Sequence, residues 1–223
     1  MAWDEVWEKL FTENVWGKYP SEALIRFVAR NFYGAPDRAA VKLLELGCGP
    51  GANMWYAARE GFSVYGIDGS ETGIKRARAR LDVECTGWKG ELRVGDFSSL
   101  PYPDESFDAV LDEAAIYCNG FAESQAIYRE AWRVLKPGGR LYSRTFAEGC
   151  IGEGTGLAGG RNAWFADVGP LAGKGLSRFT KLGEVGELLG PFQRINVEYA
   201  AHSIDDRSAE VRMWLIEAAK PAR

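Results

Sequence analysis

Three short stretches bring together residue types that can bind or activate a ligand. Glu45-Leu46-Gly47-Cys48-Gly49-Pro50-Gly51 sets glycines at alternate positions behind an apolar run. Glycine lets the backbone turn tightly and approach a ligand with no Cβ in the way. The N–H groups and positive dipole end of a following helix suit an anionic group. Asp68, in Val64-Tyr65-Gly66-Ile67-Asp68-Gly69-Ser70, can accept from a pair of ribose hydroxyls, while Ser70 is the better helix cap. Asp112-Glu113-Ala114-Ala115-Ile116-Tyr117 offers carboxylates and a phenol for proton transfer. Metal chemistry has no comparable footing. Cys48, Cys85, Cys118 and Cys150 are far apart, with no CxxC pair, and His202 is the single histidine.

These stretches need elements to hold them at strand ends. Residues 41–46 are a short, almost wholly apolar run, as expected of a strand buried on both faces. A helix over 52–60 follows, then a strand at 63–68, a helix at 70–81, and strands at 92–95 and 107–112. A helix over 123–135 is stopped by Lys136-Pro137-Gly138-Gly139, and a fifth strand covers 140–146. Repeated strand–helix–strand units imply a parallel sheet with helices on both faces. Strands at 194–203 and 210–219 are joined through the short polar connection Ile204-Asp205-Asp206-Arg207-Ser208, too short for a crossover, so they form a hairpin. The expectation is an α/β, Rossmann-like, seven-stranded, mostly parallel sheet with the last strand inserted antiparallel.

The chain reads as one domain. Residues 1–36 form an N-terminal helical cap, with Trp3, Val6, Trp7, Leu10 and Phe11 at helical spacing and a second helix opening near Ser21. Residues 41–146 form the ligand-binding core, and 178–223 hold a last helix and the hairpin. The glycine-rich stretch 147–177 has no periodicity and reads as a long loop, either a lid over substrate, walled by Trp164, Phe165 and Leu171 with Arg161 and Asp167 to orient an acceptor, or a disordered surface loop.

The glycine loop alone leaves the ligand open. Gly47, Gly49 and Ala52 also satisfy the dinucleotide pattern GxGxxA, and a purely structural turn is the bland alternative. Net charge is −4 with a pI near 5.3, which argues against clamping nucleic acid by its phosphates. No apolar run reaches the roughly 18 residues of a membrane span. The start, Met1-Ala2-Trp3-Asp4-Glu5, lacks the basic opening of a secretory signal. Free thiols in a reducing cytoplasm are the expectation, in a monomer or homodimer.

Taken in order, Glu45 to Gly51, Asp68, Gly95-Asp96-Phe97 before Leu100-Pro101, Phe107-Asp108-Ala109-Val110 and Val134-Leu135-Lys136-Pro137-Gly138-Gly139 resemble the motifs of class I S-adenosylmethionine-dependent methyltransferases, closest to the small-molecule "type 11" branch. The resemblance spans residues 41 to about 146. It implies that S-adenosylmethionine is bound with Glu45 and the backbone of Gly47, Cys48 and Gly49 on its methionyl part. Asp68 takes the ribose, Asp96 the adenine amino group, and the Phe97 N–H a ring nitrogen. Asp112 begins the motif beneath the transferable methyl. Asn53, Gly69 and Ser70 join the cofactor-binding candidates, as does Trp16, which with Tyr19 lies in a break able to fold over the cofactor. The Asp112–Tyr117 stretch lacks the Pro-Pro-aromatic and Pro-Cys sequences of nucleic-acid methylating enzymes, so a small-molecule acceptor is implied.

Methyl transfer from a sulfonium needs mainly in-line proximity. A base is needed only where the acceptor must lose a proton. Glu113 and Tyr117 are the catalytic candidates, ahead of Glu148 and Asp167. Structural roles are expected for His202, for Trp3 and Trp7, and for the solvated basic run Arg76, Arg78 and Arg80. A nicotinamide-dependent oxidoreductase and a cofactor-binding inactive scaffold are the rival readings.

Overall fold

The computed structural model describes residues 3–222. Two helices come first, α1 (Val6–Glu13) and α2 (Glu22–Phe32). Glu5 is the N-cap of the first, and Asp4 just before it accepts from the Val6 N–H at 3.0 Å, so α1 begins after Trp3 and not at it. Ser21 caps the second, accepting from Leu24 N–H at 3.2 Å. Then β1 (Lys42–Leu46), α3 (Ala52–Arg59), β2 (Ser63–Asp68), α4 (Glu71–Glu84), β3 (Lys89–Val94), β4 (Phe107–Glu113), α5 (Phe121–Val134) and β5 (Leu135–Phe146) alternate as the sequence predicts. β5 opens earlier than expected. Leu135 pairs with Phe107, Lys136 to Gly139 bulge out, and regular pairing resumes at Arg140 opposite Ala109. Ser70 caps α4 through the Gly73 N–H at 2.9 Å.

The stretch 147–177 corrects the expected structureless loop. It carries β6 (Leu157–Gly160), β7 (Ala163–Phe165) and, at its end, β8 (Ser177–Arg178), which form a small antiparallel sheet. Strands this short and glycine-rich leave no readable alternation, which is why sequence periodicity misses them. The chain closes with α6 (Val185–Leu189), β9 (Gln193–Ile204) and β10 (Ala209–Ala219).

The main sheet has seven strands in the order β3-β2-β1-β4-β5-β10-β9. Neighbours from β3 to β5 pair parallel, and β10 pairs antiparallel with both β5 and β9. Each face carries its own core. Leu44, Leu46, Val110 and Leu141 pack under α5 and α6 with Ile127, Ala131 and Leu188. Leu43, Val64, Ala109, Leu111 and Tyr142 pack under α2, α3 and α4 with Phe27, Met54 and Ile74. Burial on both faces is why β1 reads as an unbroken apolar run. A third cluster joins the small sheet to the ends of β5 and β10 through Phe146, Phe179, Leu171, Cys150 and Met213. Among the described residues no helix is long and apolar enough to cross a membrane.

Candidate functional site

Strand register assembles the site. Leu46 lies level with Ile67 of β2 on one side and Asp112 of β4 on the other, so the carboxyl ends of three central strands meet where the chain leaves β1. The loop after β1 is tied down by its own backbone. The N–H groups of Gly47 and Cys48 both donate to the Ile67 carbonyl, at 2.8 and 3.2 Å. Gly47, Gly49 and Gly51 all sit at positive φ, of 67°, 47° and 80°. At Gly47 a side chain is also excluded by space, because a Cβ there would overlap that of Ala115.

Above this loop lies a cavity of about 320 Å³. Glu45, Gly47, Cys48, Gly49, Asn53, Asp68 and Phe97 form its floor, as expected of cofactor candidates, and Trp16 lines it from the N-terminal side. Glu45 is 2% exposed and accepts from the Asn53 amide at 2.5 Å through Oε1, while its buried Oε2 has no partner. Burial pushes its carboxyl well above the usual range, and nearby Glu113, Asp68 and Asp112 push the same way. Asp68 accepts from Gly49 N–H at 2.7 Å and Ser70 N–H at 2.8 Å. These two bonds partly offset the burial that raises its carboxyl.

Ser21, Glu113, Ala114, Cys118 and Arg144 also line the cavity. Glu113 pairs with Arg144 Nη1 at 2.6 Å and accepts from the Ser21 hydroxyl at 3.1 Å. Ala114 holds a left-handed backbone, φ 59°, between them. Such strain in a non-glycine residue is held only where the surroundings dictate it, and it turns the chain sharply off β4 here. Burial raises the thiols of Cys48, well above its usual range, and Cys118, to about 12, so both stay protonated at neutral pH and neither is a nucleophile.

Several candidates sit elsewhere. Ser70 is fully buried as a cap, its hydroxyl donating to Glu8 of α1, and it does not line the cavity. Asp112 is fully buried, accepting from the Ala115 and Ile116 N–H groups at 2.9 and 3.1 Å and from Ser143 at 2.6 Å. Its carboxylate braces the turn beneath the cavity and does not face a ligand. Asp96 accepts from Ser98 N–H at 2.8 Å and lies outside the lining, as does Gly69. Tyr117 points away, 2% exposed and edge-on to Phe146 at 4.7 Å between ring centres. Glu148 accepts from Leu182 N–H, Asp167 is exposed, and His202 stands on exposed β9.

The stretch 147–177 lines no part of the cavity. Arg161 is taken up by Glu184 and Glu187, and Leu171 and Trp164 pack in the third core cluster. It reaches the lining residues from behind, with Lys174 lying 5.8 Å from the Trp16 ring and Gly175 set against Asp4.

Sequence reasoning offered Trp16 for the roof and missed the rest of it. Trp3, Trp7 and Phe11 line the cavity with Trp16. Trp16 stands edge-on to Trp7 at 5.9 Å and to Phe11 at 5.3 Å. The signal was present as four aromatics within fourteen residues ahead of a glycine loop, yet helical spacing describes packing equally well. Arg144 gave no such signal, since its strand also carries Lys136 and Arg140.

Residues 44–143 match the family model described as a methyltransferase domain. The chain is 32% identical over 149 residues to the methyltransferase GfsG of Streptomyces halstedii, covering 62% of this chain and 52% of that one. It is 40% identical over 108 residues to 24-methylenesterol C-methyltransferase 2 of rice (Oryza sativa subsp. japonica), covering 46% and 28%. It thus spans about half or less of the length of these curated relatives. A solved SAM-dependent methyltransferase of Methanosarcina mazei superposes with a TM-score of 0.66 at 25% identity, over 82% of this chain and 93% of that one.

Proposed function

We propose that this chain, whose residues 44–143 match the methyltransferase-domain model, is a class I S-adenosylmethionine-dependent methyltransferase that transfers a methyl group from that cofactor to a small molecule. The observation that carries the reading is the unpartnered Oε2 of Glu45, buried beside a glycine loop under a cavity rich in carboxylates. A buried acceptor without a donor is costly, and the ammonium of a methionyl group supplies the donor. Glu45, Asp68, Glu113 and Asp4 face the cavity with Arg144, an excess of acidic groups that suits a cationic ligand. The residues fit the cofactor.

Bound there, S-adenosylmethionine supplies a methyl group already activated by its positive sulfur. Glu45 and the loop from Gly47 to Gly49 hold the methionyl end, and Asp68 holds the ribose while still tied to Gly49 and Ser70. Trp7, Phe11 and Trp16 exclude water above, which strengthens each electrostatic contact below. Glu113, fixed by Arg144 and Ser21, accepts the proton where the acceptor has one to lose. The acceptor is a small molecule, in keeping with the sterol methyltransferase among the relatives. The setting is the cytoplasm, in keeping with four unpaired cysteines.

Calorimetric titration tests this. The protein should bind S-adenosylmethionine and its demethylated product at micromolar or tighter affinity, about −8 kcal/mol or better, with thermal unfolding raised by either ligand. Binding of NAD in their place would overturn the reading. An acceptor screen with labelled methyl donor then finds the substrate, and complete inactivity across it despite cofactor binding would favour an inactive scaffold.

A further inference from the structure

Gly69 follows the ribose candidate Asp68 directly, and its φ lies outside the left-handed region, so its backbone does not call for glycine. Space does. A Cβ built on Gly69 would overlap Cγ, Cδ1 and Cδ2 of Trp3, so an indole from the N-terminal segment fills the volume that a side chain at position 69 would take. Trp3 also lines the cavity, and so does Phe97. Gly69 lies just past the end of β2 and Phe97 just past the end of the neighbouring β3, so these rings mark the same end of the cavity. The Trp3 Nε1 donor is buried with no partner. Helix α1 is held over this end from outside. Glu8 accepts from the hydroxyls of Ser70 and Thr72, and from the Thr72 N–H at 3.3 Å, which pins α1 to the first turn of α4.

We infer that Trp3 is a cofactor-binding residue: its indole is the wall against which the adenine base stacks, standing in for the side chain that Gly69 lacks. This rests on the cofactor reading above. A base offers a flat π-face to an aromatic side chain whatever its edge carries, and such stacking changes affinity appreciably. With Asp68 on the ribose, the base extends from the sugar toward β3, the direction in which Gly69, Trp3 and Phe97 lie. The free indole N–H gives the same wall one hydrogen bond to offer to the nucleoside. The glycine and the tryptophan are then a matched pair. The small residue makes room, and the large one, brought in from 66 positions earlier in the chain, uses it.

The pairing is tested by exchanging who fills the space, with calorimetric titration of S-adenosylhomocysteine into wild type and four variants whose folding is checked by circular dichroism. Trp3→Ala should weaken binding about tenfold or more, and Trp3→Phe, which keeps a ring, should weaken it less. Gly69→Leu should also weaken binding, because its side chain displaces the indole. The double variant Trp3→Ala/Gly69→Leu should bind within about threefold of wild type, the leucine now forming the wall. Trp3→Ala binding like wild type overturns the assignment, and so does a double variant as weak as both losses combined. Wild-type protein that binds no S-adenosylhomocysteine removes the cofactor reading itself, and the assignment with it.

Discussion

The floor and the roof of the cavity are built from different materials. The floor is backbone and short side chains at the ends of β1, β2 and β4, where the Gly47 and Cys48 N–H groups meet the Ile67 carbonyl and Asp68 spans Gly49 and Ser70. Its geometry follows from strand register, which cannot shift without turning every strand side chain to the other face. The roof is a set of rings from α1 and the break after it, meeting edge to face at 5.3 to 5.9 Å. Rings packed this way can tilt, and each pair adds only about 0.5–1.5 kcal/mol beyond its buried area. The lesson is that the floor should fail abruptly and the roof by degrees.

The sharpest break should come at Gly47. Gly47→Val forces a β-branched residue into a left-handed backbone and against Ala115. Strain and overpacking together cost about 2–4 kcal/mol. For a chain this long that lowers the unfolding midpoint by roughly 5–15 °C. A midpoint within 2 °C of wild type would show a floor far softer than its hydrogen bonds suggest.

Asp112 tests what lies beneath the floor. Burial raises its carboxyl from 3.8 to about 6, against the bonds from Ser143, Ala115 and Ile116 that lower it. The folded protein therefore holds this proton more tightly than the unfolded chain. Its contribution to stability is full below about pH 3.8 and is lost as pH rises to about 6, a change of order 3 kcal/mol. Asp112→Asn keeps an acceptor for the turn without the titration. Denaturant melts across pH 4 to 7 should show wild type losing stability relative to this variant as pH rises. Parallel curves would mean that the carboxyl titrates normally.

Asp68 joins floor and ligand. Asp68→Ala should weaken S-adenosylmethionine binding at least tenfold, since charge-assisted bonds are lost and two backbone N–H groups are left without their acceptor. Asp68→Asn should fall between the two. Equal calorimetric affinities for all three proteins would remove Asp68 from the site.

The smallest effect belongs to the roof. Trp16 is 38% exposed, so Trp16→Ala should weaken cofactor binding by only about two- to fivefold, in line with one or two ring contacts. In wild type, cofactor should slow hydrogen exchange over Val15 to Pro20. Exchange that is the same with and without ligand would leave this stretch outside the closing layer.

The same division decides what could be read from the chain alone. The parallel core was legible because its signals are local, namely the apolar run of β1, the caps Ser21 and Ser70, and the proline–glycine stop before Arg140. The glycine loop and Asp68 came with it, since position at a strand end follows once the strand is placed. The roof was not legible in that way. Trp3, Trp7 and Phe11 have the spacing of an ordinary buried helix face, and only the fold shows that this face looks onto a cavity. Asp112 illustrates the converse. A carboxylate beside the methyl-transfer motif looks available in sequence, yet the turn after β4 consumes one of its oxygens and Ser143 of β5 the other. Tyr117 likewise follows that turn round into the third core cluster.

The strand order carries a consequence for how the molecule comes to be made. β10 lies between β5 and β9, although it is the last of the three to leave the ribosome. Until residues 209–219 have emerged, β5 has no neighbour on its outer side and β9 has nothing to pair with. A nascent chain therefore carries an open strand edge, a template for pairing with other chains, through the synthesis of the whole stretch from 147 to 208. The glycine-rich insert and the polar, largely exposed β9 are what the ribosome delivers during that interval. Neither offers a long apolar strand to cap the edge wrongly, so the sheet stays open until its proper occupant arrives.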